Sequence, residues 1–409
     1  MLEPDNEWTI LDYLNEDSWR AVLRYVPVHD IIRSESVSRR WQRVVLLYLK
    51  GIRFCFGTLS DNTHVNSNAS NNFSLRKSKY ESFECWTTKL GSAVVSTYCM
   101  NEKNLEIVRE NCPNIEALTY VEFNETKSKA DEHLPHNLNE DFKKLQNLCF
   151  DKCHNVSDQF VSQNILDNAL EELLFYHCYD VTGQCLISAN LSKINTLVFE
   201  SCFNLQASHL LSSTNQLAEL TQLELIDVPV EIAEEIQLVL DKMPKLEWLE
   251  IHSNGRRTDQ CHLKNYKAVC GLRHLFKLCI DLKVNDIAVA AIMCYCKQLE
   301  ILELWDCVAL TPLGLRAICH YAGMRLYRLR LNLFHSLTDD DVVHCVRSCP
   351  ELEDLDLGGP CQITPALLPR VSAARHQVSP KKKLQLDVVE TRLTDQDYLE
   401  SVRGNYEEM

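Results

Sequence analysis

The sequence predicts an α/β fold of stacked repeats, a solenoid, with a small all-α module ahead of it. Three observations lead to this prediction. An apolar frame, leucine-x-x-leucine-x-leucine, recurs through most of the 409 residues. Cysteine takes fixed places relative to that frame. The first 50 residues lack the frame and instead carry apolar side chains at helical spacing.

The frame defines the repeats. Its first position is apolar in ten copies, which begin 24 to 30 residues apart: Ile115, Leu145, Leu170, Ile194, Leu220, Leu246, Leu275, Leu299, Leu326 and Leu352. A weaker eleventh copy is predicted with Lys381 in the first position, followed by Leu384 and Leu386. Alternate side chains of the frame share one face of a strand, and the rest of each period holds a turn and an amphipathic helix. One copy cannot bury its apolar face alone, so neighbouring copies must stack.

Cysteine recurs at two places in the repeat, eight residues after the first position and three residues before it. The two sets are Cys153, Cys178, Cys202 and Cys307, and Cys112, Cys296 and Cys349. Serine or threonine, as at Ser157, Thr311 and Thr338, stands where it can cap the following helix. In period, frame and cysteine placement, residues 112–409 resemble the cysteine-containing leucine-rich repeats. The resemblance implies a horseshoe of about eleven copies.

Residues 1–50 are predicted to form three short helices. Trp19, Val22, Leu23 and Val26 are spaced as one stripe on a helix that Pro27 ends. A second stripe consists of Val37, Trp41, Val44, Val45 and Tyr48. A module of this size is marginal by itself, so its apolar surface is expected to need a partner.

The order of residues in this module resembles an F-box. The matching positions are Leu14-Asn15, Asp17, Trp19, Val22-Leu23, Tyr25-Val26-Pro27, Asp30-Ile31 and Val37-Ser38-Arg39-Arg40-Trp41. Asn15 stands in place of the usual proline and Ser38 in place of the usual cysteine.

An F-box implies binding to a Skp-type adaptor, and through it to a cullin-RING ubiquitin ligase. The adaptor contacts that the resemblance implies are Leu14, Asn15, Trp19, Val22, Leu23, Val26, Pro27 and Ile31. Val37 and Trp41 are expected to close the helical fold. The alternative is that all these residues only pack the module against the first repeat.

Residues 51–111 are predicted to connect the module to the repeats. Ile52, Phe54 and Phe56 alternate, which is typical of an edge strand. Residues 58–79 are rich in serine and asparagine and are expected to form a mobile loop.

The candidate recognition surface consists of the strand residues that point away from the repeat core, at positions three, five and seven of each copy. Six of them are predicted to bind a protein substrate: Trp248, Glu250, Glu303, Trp305, Arg328 and Arg330. Glu224, Glu250, Asp281 and Glu303 are expected to form an acidic stripe whose charges repel one another. Tryptophan and arginine are enriched where binding energy concentrates. A solvated strand position is the better interpretation of any one of these residues alone, and only the cluster of six favours a binding site.

Composition and motifs exclude several classes of function. The net charge of −15 argues against a nucleic-acid partner, and no apolar run reaches the ~18 residues of a membrane helix. Phosphate-binding, hydrolase and metalloprotease motifs are absent from the sequence, and no cofactor is predicted.

The 19 cysteines, an odd number without a signal peptide, are expected to be free thiols in packing positions. Cys294-x-Cys296 and the pair Cys345 and Cys349 are the less favoured candidates for zinc ligands.

The sequence therefore predicts a non-catalytic, cytoplasmic or nuclear substrate receptor of a ubiquitin ligase. The main alternative is a leucine-rich-repeat scaffold or inhibitor that works without a ligase. A hydrolase with an unrecognised site is the second alternative.

Overall fold

A computed structural model describes most of the repeat region and parts of the N-terminal region. The described residues are 16–26, 30–31, 34–50, 54–56, 73–75, 84, 87–88, 90–122, 138–154, 156–165, 170–254, 262–332, 334, 336–359 and 362–387. The chain divides into two compact units. Unit 1 comprises residues 1–155 and 163–170, and unit 2 comprises 156–162 and 171–409. Both are α/β with parallel strands, as the repeats predicted.

The helical part of unit 1 lies in residues that the sequence assigns to the N-terminal module. It contains α1 (Glu16–Leu23), a 3-10 turn (Glu35–Val37) and α2 (Arg39–Lys50). The Trp19 and Trp41 rings meet edge to face, with centroids 5.2 Å apart. The indole N–H of Trp41 donates to the Ser34 hydroxyl at 2.8 Å, and that hydroxyl donates to the Ile31 carbonyl at 2.7 Å. These contacts fix the two helices and the turn between them.

Burial within this module corrects part of the predicted adaptor surface. Trp19, Leu23 and Ile31 were expected to face a partner, but they lie in the interior of unit 1. Val37 was expected to close the fold, but it is 76% exposed. Helical spacing shows that these apolar side chains share one face of a helix. It does not show whether that face packs in the module's own core or binds a partner, and so small a module needs them for its core. Leu14, Asn15 and Pro27 lie outside the described residues.

The described strands of unit 1 form a parallel sheet. They are β1 (Phe54–Phe56), β2 (Phe73–Leu75), β3 (Val94–Cys99), β4 (Ala117–Val121) and β5 (Asn147–Asp151), in the order β2-β1-β3-β4-β5. The helical elements between them are a 3-10 turn (Gly91–Ala93), α3 (Glu102–Asn111) and α4 (Leu138–Asp141).

Two expectations for the connecting segment are corrected by this sheet. Strand β1 pairs on both sides, so it is not an edge strand. Strand β2 lies within the range expected to be a mobile loop. The serine- and asparagine-rich composition concealed the short Phe73–Leu75 strand.

The described strands of unit 2 pair in parallel and in chain order. They are β6 (Glu172–Tyr176), β7 (Thr196–Glu200), β8 (Gln222–Val228), β9 (Trp248–Ser253), β10 (Lys277–Ile280), β11 (Ile301–Leu304), β12 (Arg328–Leu331), β13 (Asp354–Asp356) and β14 (Gln385–Asp387). This succession of parallel strands is consistent with an α/β repeat solenoid.

Helices or 3-10 turns follow the strands of unit 2. The helices are α6 (Cys185–Ser188), α7 (Ala207–Ser213), α8 (Val230–Glu235), α9 (Tyr266–Gly271), α10 (Asp286–Tyr295), α11 (Pro312–Ala322), α12 (Asp339–Ser348) and α13 (Leu367–Val378). The 3-10 turns are Thr214–Gln216, Ile236–Leu238 and Leu240–Lys242. Helix α5 (Asp158–Ile165) contributes residues to both units.

The frame predicts where the strands begin. Strands β4 to β13 each begin two residues after the first position of a copy, as Trp248 follows Leu246.

The eleventh copy is displaced from its predicted frame. Leu386 pairs with Leu355, which places Lys383 rather than Lys381 in the first position. Sequence alone offered two leucines near this strand, and cross-strand pairing decides between the two frames.

The cysteines at the predicted repeat positions are buried packing residues. Cys153 donates from its thiol to the Tyr120 carbonyl at 3.3 Å, and Cys202 donates to the Phe175 carbonyl at 3.7 Å. Each thiol thereby ties its turn to the preceding repeat. The described cysteines from Cys99 to Cys349 carry free thiols. The predicted caps are also confirmed, because Ser157 accepts from Phe160 N–H and Thr311 from Leu313 N–H, both at 3.2 Å.

Candidate functional site

The parallel register of unit 2 brings the six predicted substrate-binding residues onto one face of four consecutive strands and the turn after β11. At position three, Trp248, Lys277, Ile301, Arg328 and Asp354 are successive partners. At position five, the successive partners are Glu250, Cys279, Glu303, Arg330 and Asp356. Each row places charged side chains on neighbouring strands, and parallel strands lie about 4.8 Å apart.

Glu250 is the centre of the contacts on β9 and β10. Its Oε2 accepts from Lys277 Nζ at 2.7 Å and from Trp248 Nε1 at 3.3 Å, while its Oε1 lies 3.2 Å from His252 Nε2. The Lys277 ammonium also lies 4.0 Å from the centroid of the Trp248 ring, which is a cation–π contact. Burial raises the pKa of Glu250, but the His252 hydrogen bond and the Lys277 charge outweigh it and lower the pKa to about 2.

Cys279 connects this group to the next strand. The ring nitrogen Nε2 of His252 lies 3.2 Å from its Sγ, and the Trp305 indole N–H donates to the same sulfur at 3.3 Å. The thiol donates to Glu303 Oε2 at 3.5 Å. Cys279 and Glu303 are buried, although both belong to the face that points away from the helices.

The two arginines of β12 share the carboxylates on either side. Arg328 Nε lies 2.8 Å and Arg330 Nη2 lies 3.1 Å from Asp354 Oδ2. Both guanidinium groups also approach Glu303, at 3.7 and 3.9 Å. Burial lowers the pKa of Arg330, but the charges of Glu303 and Asp354 raise it above its usual value.

The expected acidic stripe is therefore not a surface of unpaired negative charge. Glu250 is paired with Lys277, and Glu303 lies between two arginines. Glu224 accepts a hydrogen bond from Gln222 at 2.6 Å, and Asp281 accepts from the Ser253 backbone N–H at 2.7 Å. The sequence analysis singled out Arg328 and Arg330 but not Lys277, the cation on the strand next to Glu250. For Glu250 and Glu303, which are paired with cations, the predicted mutual repulsion is therefore wrong.

The structure brings all six predicted residues into this one network. Lys277 and Asp354 belong to it too, although the sequence did not single them out. The signal for both was available, because they occupy position three of the copies that begin at Leu275 and Leu352. We call the set Trp248, Glu250, His252, Lys277, Cys279, Glu303, Trp305, Arg328, Arg330 and Asp354 the strand-face network.

On the N-terminal module, the predicted adaptor residues divide into two groups. Trp19, Leu23 and Ile31 are buried, whereas Val22 is 49% exposed and Val26 is intermediate. Tyr25 was a matching position in the F-box pattern and is 81% exposed. The structure thus separates residues that hold the module together from residues that can contact a partner.

Two groups of side chains in the described ranges have metal-binding donors close together. Glu250, His252 and Cys279 form one group, and the buried Cys319, Cys345 and Cys349 form the other. In each group the ligand atoms lie within 4.8 Å of one another. Over the part of the chain that the structure describes, no helix is long and apolar enough to span a membrane.

Comparisons with known proteins give little further information. No protein-family model matches the chain, and no curated protein matches it. The chain is similar to the crystal structure of the Rad7 and Elc1 complex in yeast, with 14% identity, 84% of this chain and 70% of that chain covered, and a TM-score of 0.36. It is also similar to the structure of the Toll–Spatzle complex of Drosophila, with 14% identity, coverage of 75% and 48%, and a TM-score of 0.39. Likeness at this level says nothing about what the chain binds.

Proposed function

We propose that this chain is the substrate receptor of a ubiquitin ligase. In this proposal, residues 1–50 act as an F-box that binds a Skp-type adaptor, and the strand-face network binds a protein substrate. The chain itself carries out no catalysis in this proposal. The proposal rests chiefly on one observation: a module with F-box-like residue order keeps Val22, Tyr25 and Val37 exposed after its own core is filled.

The exposure of these side chains supports a partner. Val22, Tyr25 and Val37 are apolar or aromatic and 49%, 81% and 76% exposed. These exposed side chains lie within 16 residues of one small module, and burial in a complex would remove them from water. The adaptor surface that we propose is therefore centred on these residues rather than on Trp19 and Leu23.

The strand-face network supports the second half of the proposal. It combines two partly buried tryptophans with paired charges on a rigid sheet, which is the composition of energetically important protein interfaces. The buried Nε–H of Arg330 finds no hydrogen-bond acceptor among the described residues. A carboxylate or backbone carbonyl of a bound protein would satisfy it.

A leucine-rich-repeat scaffold without a ligase is the second candidate. The same strand-face network favours it, because protein binding by this face does not depend on the N-terminal module. The two candidates differ in whether an adaptor binds.

Affinity purification of the full chain with paired variants tests the proposal. The double variant Val22→Ala with Tyr25→Asp should lose the Skp-type adaptor while the variant still folds, because neither side chain is buried. Leu238→Ala, which changes an apolar residue 64% exposed in unit 2, is the matched control and should retain the adaptor. Full adaptor recovery by the double variant would contradict the F-box assignment and favour the scaffold.

The substrate half of the proposal is tested in the same purification. Trp305→Ala should reduce recovery of substrate proteins at least several-fold and leave the adaptor bound, because it removes a large anchor from the network. Tyr327→Ala, adjacent in sequence to Arg328 but outside the network, is the control. Equal substrate recovery from both variants would place the docking surface elsewhere.

A further inference from the structure

Three side chains on β9 and β10 point metal-binding atoms at one another. Cys279 is the register partner of Glu250, and His252 is two residues further along β9, so all three share one face. His252 Nε2 lies 3.2 Å from Glu250 Oε1 and 3.2 Å from Cys279 Sγ. His252 Nε2 is therefore the donor atom that lies close to both of the others.

We propose that Glu250, His252 and Cys279 bind a zinc ion. Zinc takes sulfur at about 2.3 Å and nitrogen or oxygen at about 2.0–2.2 Å in tetrahedral geometry. Two such ligands then lie roughly 3.3–3.7 Å apart along an edge of the tetrahedron, the longer values being those with sulfur. Both separations from His252 Nε2 are within about 0.4 Å of these values. All three donor atoms lie within 4.8 Å of one another. The inference does not depend on the proposed ligase function.

Charge and donor type also favour zinc. One carboxylate, one neutral imidazole and one thiolate balance the two positive charges of the ion, which matters because Glu250 and Cys279 are largely buried. Carboxylate, imidazole and thiolate are all zinc ligands. On binding, the Cys279 S–H bond breaks, a zinc–sulfur bond forms and the proton leaves to solvent. Burial and then the nearby Glu250 and Glu303 raise the pKa of Cys279, so the thiol is protonated until the metal displaces the proton.

Surrounding groups already hold the three ligands in place. Lys277 Nζ binds the Oε2 atom of Glu250, which leaves Oε1 directed at His252. The Trp305 indole N–H donates to Cys279 Sγ at 3.3 Å and would stabilise a thiolate there. The Trp305 ring also packs edge to face on His252, with centroids 5.9 Å apart. Lys277 is a nearby charge that opposes a cation, and Glu303, on the other side of Cys279, is shared with Arg328 and Arg330.

The cluster of Cys319, Cys345 and Cys349 is the competing site within unit 2. All three side chains are buried. Three thiolates and a zinc ion would carry a net charge of −1, and thiolates are also good zinc ligands, so variants must separate the two sites. The Glu250, His252 and Cys279 group is neutral with zinc and partly open to solvent. Its three protein ligands leave a fourth position for water or for a side chain of a bound protein.

Cobalt(II) substitution in the full chain tests this site. After chelator treatment, the protein is titrated with cobalt(II), and absorption is recorded for tetrahedral cobalt and for charge transfer from thiolate to cobalt. We expect one tetrahedral cobalt per chain, a charge-transfer band and displacement of both signals by one equivalent of zinc. Circular dichroism of each variant confirms that it is folded.

Three variants separate the two sites. Cys279→Ser should abolish the charge-transfer band and weaken zinc binding at least ten-fold. Glu250→Gln should weaken zinc binding but retain the band at saturating cobalt, because the thiolate ligand is still present. Cys349→Ser should leave both properties unchanged. Failure of the wild-type chain to bind cobalt or zinc would overturn the proposal. So would a band that persists in Cys279→Ser but disappears in Cys349→Ser.

Discussion

At the scale of single residues, a left-handed backbone conformation recurs at one place in successive repeats. Among the described residues, the non-glycine residues with φ between 49° and 55° are Glu122, Lys152, His177, Ser201 and Asp227. All five stand seven residues after the first position of a copy, at the end of a strand. The backbone N–H of Glu122 donates to the Asp151 carbonyl, and that of Ser201 donates to the Ile226 carbonyl, both at 2.8 Å. The strained conformation thus directs an N–H to the neighbouring repeat.

This conformation leads to a prediction at Lys152, whose side chain is exposed. Lys152→Val should lower the free energy of unfolding by about 1–2 kcal/mol, because a β-branched residue fits the left-handed region poorly. Lys152→Asn removes the same charge but tolerates this conformation, so it should cost much less. Urea unfolding of both variants measures the difference. Equal midpoints would show that the turn relaxes out of the left-handed region.

At the scale of elements, an aspartate at the start of one helix caps the turn of the next repeat. Asp158 accepts from the Thr182 N–H at 2.8 Å and from its hydroxyl at 2.7 Å. Asp286 makes the same pair of contacts with Thr311. Asp339 makes them with Thr364, at 2.9 and 2.5 Å. The sequence predicted the threonine and serine caps within single repeats. It did not predict this link, because the link joins residues about one period apart.

The neighbouring residues Asp339 and Asp340 allow a matched test of this link. Both lie in the first turn of α12, but Asp340 is mostly exposed and pairs only with Arg370 among the described residues. Asp339→Ala should destabilise the protein by about 1–3 kcal/mol, because it removes two hydrogen bonds to a charged carboxylate. Asp340→Ala removes an equal charge from the same helix end and should cost less than about 1 kcal/mol.

Chemical denaturation of the two aspartate variants measures these costs. Thr364→Val combined with Asp339→Ala should cost less than the sum of the two single changes, since both disrupt one interaction. Additive costs, or equal costs for Asp339→Ala and Asp340→Ala, would contradict the link.

At the scale of the whole molecule, the repeat period of the sequence predicted most strands. It did not predict which charged side chains pair between neighbouring strands. The first frame position fixed the start of β4 to β13 because an apolar side chain there is always buried. The contact of Lys277 with Glu250 was missed because the two residues are 27 positions apart. Only the parallel register between copies of unequal length brings them together. For the same reason the frame near Lys381 was off by two residues.

In the N-terminal module, the sequence predicted the apolar helix face but not which of its side chains are buried. Trp19 and Val22 belong to one apolar stripe, yet one is buried and the other is 49% exposed. Which side of a short helix forms the core depends on where the second helix packs, and Trp41 decides this by its edge-to-face contact with Trp19. Helical spacing in a single sequence contains no information on that contact.

The repeat organisation of unit 2 implies that stability is distributed locally along its strands. Leu329 on β12 is fully buried and is the register partner of Leu302 on β11 and Leu355 on β13. In a stack of repeats, each repeat is stabilised mainly by its neighbours. A cavity at Leu329 should therefore weaken β11 and β13 more than strands several repeats away.

Hydrogen exchange of Leu329→Ala tests this expectation. The substitution removes buried methyl groups and should cost about 2–5 kcal/mol. Amide exchange in β11, β12 and β13 should then accelerate strongly, whereas β7, four strands before β11, should keep most of its protection. Leu313→Ala makes the same chemical change at a side chain that is 66% exposed, so it should leave exchange in these strands unchanged. Equal acceleration in all strands of unit 2 would show instead that the unit opens in a single cooperative step.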